Sequence, residues 1–101
     1  MIKVKIGKTD TGFNFLEVKG HANSGPYGHD LVCAAVSAVI TGGLNNLEAP
    51  QNYDIELKEG YSMIKALKNV SAHDAVVIET IICGLKTIAE EYSDFINIKA
   101  E

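Results

Sequence analysis

Between positions 71 and 92 the apolar residues fall at helical spacing. Ile78, Ile81, Ile82, Leu85, Ala89 and Tyr92 make one long stripe. Ser71, with Asp74 three residues later, is a capping-box-like start for that helix. A helix with a single apolar face needs a layer to cover it, and that need constrains the rest of the chain.

The remaining segments supply such a layer. Ile2, Val4 and Ile6 alternate with Lys3 and Lys5, the period of a strand with one buried face. Thr9-Asp10-Thr11-Gly12 is a turn cluster, so residues 13–19 return as the second arm of a hairpin. In that arm Leu16 and Val18 share one face, Phe13 and Phe15 the other, which suggests either a second contact surface or ordinary aromatics near a turn. After Pro50, Tyr53, Ile55 and Leu57 alternate with Asp54, Glu56 and Lys58. Glu59-Gly60 is then a tight turn into residues 61–67. Ile96 and Ile98 end the chain as a short strand.

A first helix is predicted from Asp30 to Glu48, with Val32, Val36, Val39, Gly43 and Leu47 on one side and Asp30 as N-cap. The order ββαββαβ therefore predicts an α+β fold, two helices packed on an antiparallel or mixed sheet. Residues 1–101 are expected to form a single domain, its core completed by self-association.

Charge narrows the function. The net charge is −4 and the nine basic residues form no run, which argues against direct nucleic-acid binding. The alternating start is neither a signal peptide nor a membrane span, and the two cysteines make no disulfide framework, so a reduced, cytoplasmic setting without membrane attachment is expected.

The chemistry concentrates between Gly20 and Ser37. His21 follows the second strand, a loop with Gly25, Tyr27 and Gly28 comes next, and Asp30 opens a helix that carries Cys33 and Ser37 one and two turns on. A thiol at a helix N-terminus favours its anion, and a histidine across the loop can take its proton, so Cys33 reads as a nucleophile and His21 as its base. The same helix-start amides are candidates for holding an oxyanion. Asp30 either orients the histidine or only caps the helix, and Ser37 either supports the thiol or only allows close packing. His21, His29 and Cys33 match no common zinc spacing, so neither metal nor other cofactor is expected. His73 and Cys83 read as surface, structural or interface residues. On the residues alone, Cys33 reads more readily as a plain small core residue, within a binding module or a dimeric structural protein.

Gly20-His21-Ala22 together with Gly28-His29-Asp30-Leu31-Val32-Cys33-Ala34-Ala35-Val36-Ser37 resembles the bacterial ribosomal-processing cysteine protease family, over essentially the whole chain. The resemblance implies a homodimeric cysteine endopeptidase that removes a short N-terminal extension from large-subunit ribosomal protein twenty-seven. It implies Cys33 as nucleophile and His21 as base and acid, with Asp30 and Ser37 supporting and Gly25, Tyr27 and Gly28 in a substrate-binding loop. The alternative is a non-catalytic ribosome- or protein-binding module in which Cys33 is structural.

Overall fold

The computed structural model describes residues 1–22, 25 and 30–100. Strands β1 (Ile2–Thr9) and β2 (Gly12–Lys19) lead into helix α1 (Leu31–Leu44). Strands β3 (Tyr53–Lys58) and β4 (Tyr61–Ala66), helix α2 (Ala72–Glu91) and strand β5 (Ile96–Ala100) follow. The five strands form one mixed sheet ordered β3-β4-β2-β1-β5, with β5 parallel to β1 and every other pairing antiparallel. The predicted α+β class and element order are those observed.

Alternation explains the sheet. Ile2, Val4 and Ile6 of β1, Leu16 and Val18 of β2, and Ile64 of β4 are buried with the helices, while Lys3, Lys5 and Lys19 are exposed. The β1–β2 register slips between Gly7 and Lys8. One extra residue there separates the two phenylalanines expected to share a face. Phe13 packs against the core, whereas the Phe15 ring covers Gly7, where any Cβ would collide with it. Phe15 is thus committed to filling a gap in its own sheet.

Helix α1 ends at Leu44, a turn earlier than its pattern predicted, where Asn45 N–H closes onto Thr41 O at 3.0 Å. Its core residues are Val32, Val36, Ile40 and Leu44. Val39 and Gly43 instead meet α2: a Cβ on Gly43 would strike Ile81, and one on Gly84 would lie 2.8 Å from Val39 Cγ1. Two glycines therefore let the helices approach closely, with α2 contributing buried Val77, Ile78, Ile81 and Leu85.

Asp74 is fully buried, at 0% exposure. In a capping box an acid at this position would reach back to Ser71 N–H. Here Ser71 Oγ accepts from Asp74 N–H at 3.2 Å, but the carboxylate reaches across to Glu48 N–H at 2.9 Å, Ala49 N–H at 3.4 Å and Tyr53 O–H at 3.1 Å. Burial, then the Asp74 carboxylate, pushes the Tyr53 phenol up to about 12. A pKa raised in the folded state gives stability that is complete below pH 10 and lost as pH rises toward 12, roughly 2–3 kcal/mol in all. Tyr53→Phe is expected to flatten that part of the alkaline stability profile, measured by urea denaturation at stepped pH; an unaltered slope would reject the linkage.

Candidate active site

Three elements meet at one end of the sheet. The end of β2 carries His21, the start of α1 carries Cys33, and the β3–β4 turn closes the third side. Between them lies a cleft of about 600 Å³. Ile2, Val18 and Val36 give it an apolar floor, and His21, Asp30, Cys33, Ser37 and Tyr61 its polar wall. The structure thus brings together His21, Gly25, Asp30, Cys33 and Ser37. Tyr27, Gly28 and His29 lie outside the described residues. Cys83 is exposed on α2, and exposed His73 bonds through Nε2 to Asn46 O at 2.9 Å.

Each chemical group is placed by its local sequence. Gly20 leaves β2 with φ +100°, a left-handed conformation, and a Cβ there would lie 2.5 Å from Met1 O. That bend delivers His21 to the cleft and buries Ala22 beside α1. Asp30 is extended, as an N-cap should be, and its Oδ1 accepts from Cys33 N–H at 3.0 Å. Cys33 is half-buried, and its Sγ accepts a hydrogen bond from Ala22 N–H at 3.2 Å. Ala22 had no signature as a site residue, because its contribution is a backbone amide brought across the loop by folding. The rim residues Lys58 and Tyr61 were likewise legible only as strand. The Tyr61 hydroxyl donates to Glu17 at 3.0 Å, and Lys58 lies 5.8 Å from the Tyr61 ring centre.

The electrostatics differ from the expectation of a thiolate held by the helix terminus. Burial pushes the Cys33 thiol above its ordinary range; the Ala22 amide opposes this, and Asp30 adds to it as hydrogen-bond acceptor and as like charge. The physical reason lies in the cap. Asp30 occupies Cys33 N–H with its carboxylate and Ala34 N–H with its carbonyl oxygen, the latter at 3.0 Å, so a full negative charge sits where bare helix amides were expected. The same two amides are thereby engaged rather than open to an oxyanion.

Asp30→Asn should therefore keep the cap, since asparagine caps about as well, while removing the charge beside the sulfur. Lowering the thiol pKa raises the thiolate fraction more than it lowers nucleophilicity, so alkylation at pH 7 should be up to about threefold faster. Iodoacetamide labelling of Cys33 followed by intact mass reads this directly, and slower labelling would contradict the assigned role of the carboxylate.

Comparison with known proteins follows the same geometry. A family model described as cysteine protease Prp matches residues 1–97. The ribosomal processing cysteine protease Prp of Staphylococcus aureus is 35% identical, with 97% of each chain aligned. That of Mycoplasma genitalium is 37% identical, over 100% of this chain and 97% of the relative. Two crystal structures of the S. aureus protease cover 100% of both chains. One, with a covalently linked product peptide, has a TM-score of 0.88 at 32% identity; the other, with a substrate peptide, has 0.83 at 31%. The fold is thus that of a class of small α+β cysteine proteases. Within that class, the chain belongs to the cysteine protease Prp family.

Proposed function

We propose that the protein is a cysteine endopeptidase acting on a ribosomal protein, with Cys33 as nucleophile and His21 as general base and acid. The observation that carries this reading is the shared cleft: the Cys33 sulfur, with the Ala22 amide directed at it, and the His21 imidazole both line it. Relatives named as ribosomal processing proteases, one of them crystallised with substrate and product peptides, supply the substrate class.

Burial and the Asp30 charge favour the neutral thiol, so proton removal belongs to the reaction itself. His21 takes the Sγ proton as the sulfur attacks the scissile carbonyl, while the Ala22 amide stabilises the charge that develops on sulfur. The tetrahedral adduct collapses as the imidazolium protonates the leaving amine, giving a thioester on Cys33. His21 then deprotonates water, which attacks the thioester and releases the new carboxylate and the thiol. Asp30 and Ser37 support the thiol from α1, and the loop containing Gly25, Tyr27 and Gly28 contacts the peptide.

The specific substrate in this reading is the N-terminal extension of large-subunit ribosomal protein twenty-seven, cleaved in the cytoplasm by a homodimer. Among the described residues no helix is long and apolar enough to cross a membrane. Leu31, 78% exposed at the start of α1, offers apolar surface for a second subunit. The test is incubation of the extended ribosomal protein with wild type and with Cys33→Ala, followed by intact mass. Shortening by wild type alone supports the assignment. No shortening by either favours the binding-module alternative with a structural Cys33.

A further inference from the structure

The β3–β4 hairpin turn lies against the histidine. Gly60 has φ +73°, as the second residue of a tight two-residue turn. A Cβ built on it would fall 2.7 Å from His21 Nε2, 3.1 Å from Cε1 and 3.5 Å from Cδ2. The outer edge of the imidazole therefore rests where any other residue would carry its side chain. The Gly60 carbonyl in addition accepts from Gly20 N–H at 2.9 Å, tying the turn to the residue just before His21. One glycine thus bears on the histidine in two ways, directly through its missing bulk and indirectly through its backbone bond to Gly20. Conformation alone would not require the second contact: Gly12 also has positive φ, at +112°, and a Cβ there would meet nothing within 4 Å.

We propose that Gly60 is the positioning residue of the proton-transfer step: its bare Cα seats the His21 imidazole and its carbonyl anchors the backbone that carries it. The proposal rests on the reading of His21 as base. Its physical content is that the rigid β3–β4 turn, reached from β2 across a hydrogen bond, sets the height and tilt of the ring over the cleft. A Cβ at position 60 pushes the ring away by a fraction of an ångström to an ångström, and misplacement on that scale costs up to about a hundredfold in turnover.

The test compares Gly60→Ala with Gly12→Ala, two alanines placed at positive φ, one facing the ring and one facing solvent. Gly60→Ala is expected to lower kcat for peptide cleavage about 10- to 100-fold with KM within about threefold, and to shift the pH profile of kcat/KM toward that of His21→Ala. Gly12→Ala should match wild type in both. In a His21→Ala background, Gly60→Ala should lower the rate no further. Wild-type kcat in Gly60→Ala, a rise in KM alone, or an additive loss in the double variant overturns the proposal while leaving the base intact. An unchanged pH profile in His21→Ala overturns the base reading and this proposal with it. If Gly60→Ala does not fold, the wild-type protein decides: nuclear Overhauser contacts between the Gly60 Hα atoms and the His21 ring protons are expected, and their absence overturns the seat.

Discussion

Cleavage by Cys33→Ala is expected to be undetectable, and His21→Ala to retain no more than about one part in a hundred to one in ten thousand of wild-type kcat/KM at pH 7. The second figure follows from the state of the thiol. Burial and the Asp30 charge raise its pKa, so at pH 7 little thiolate forms without help. In wild type the imidazole removes the proton within the reaction, so the rate does not depend on the spontaneous thiolate fraction. Without the imidazole, the rate must follow the spontaneous thiolate fraction. It should rise about tenfold per pH unit from neutrality into the alkaline range, because the thiol pKa is raised. The measurement is kcat/KM against pH for wild type and His21→Ala on one peptide, with circular dichroism showing both folded. A His21→Ala profile that plateaus near neutrality would show that some other group takes the proton.

The sheet was legible in the sequence because strand periodicity is a local signal. Ile2, Val4 and Ile6, or Tyr53 and Ile55, declare a face within a few residues, and Glu59-Gly60 declares the turn between two of them. Asp30, Cys33 and Ser37 were readable as a set for the same reason, since helical spacing alone puts them on one side. What escaped was every relation that depends on long-range pairing. The slip at Gly7/Lys8, which separates Phe13 from Phe15, is a property of two strands together. The end of α1 at Leu44 reflects where the chain must turn toward Pro50, although Leu47 continues the apolar count and is itself buried. Cys33 was expected to feel a bare helix terminus. The same Asp30 that made a good cap in the sequence cancels that field, because a cap carboxylate and a thiolate one turn apart compete for the same amides. The Ala22 amide at the sulfur and the Gly60 surface under the imidazole are backbone features, invisible to any pattern of side chains.

Asp74→Ala is the stability counterpart, with an expected loss of about 3–5 kcal/mol. The carboxylate is fully buried and gathers three donors from the far side of the α1–β3 connection: the amides of Glu48 and Ala49 and the hydroxyl of Tyr53. Alanine supplies none of these acceptors, and each stranded group costs about 1–3 kcal/mol. Asp74→Asn retains one acceptor oxygen but turns an NH2 toward the remaining donors, so it should lose about half as much. Tyr53→Phe removes one donor together with its need for a partner, and should lose only about 1 kcal/mol. For a domain of this size the alanine variant should melt about 15–25 °C lower. The order Asp74→Ala, then Asp74→Asn, then Tyr53→Phe discriminates a satisfied polar anchor from simple packing, because the phenyl ring preserves the volume at Tyr53 and the amide preserves it at Asp74. Urea denaturation with an unchanged m-value measures the series. Equal, small losses in all three would mean that the connection from α1 into β3, and through it the turn beneath His21, is held by something other than this carboxylate.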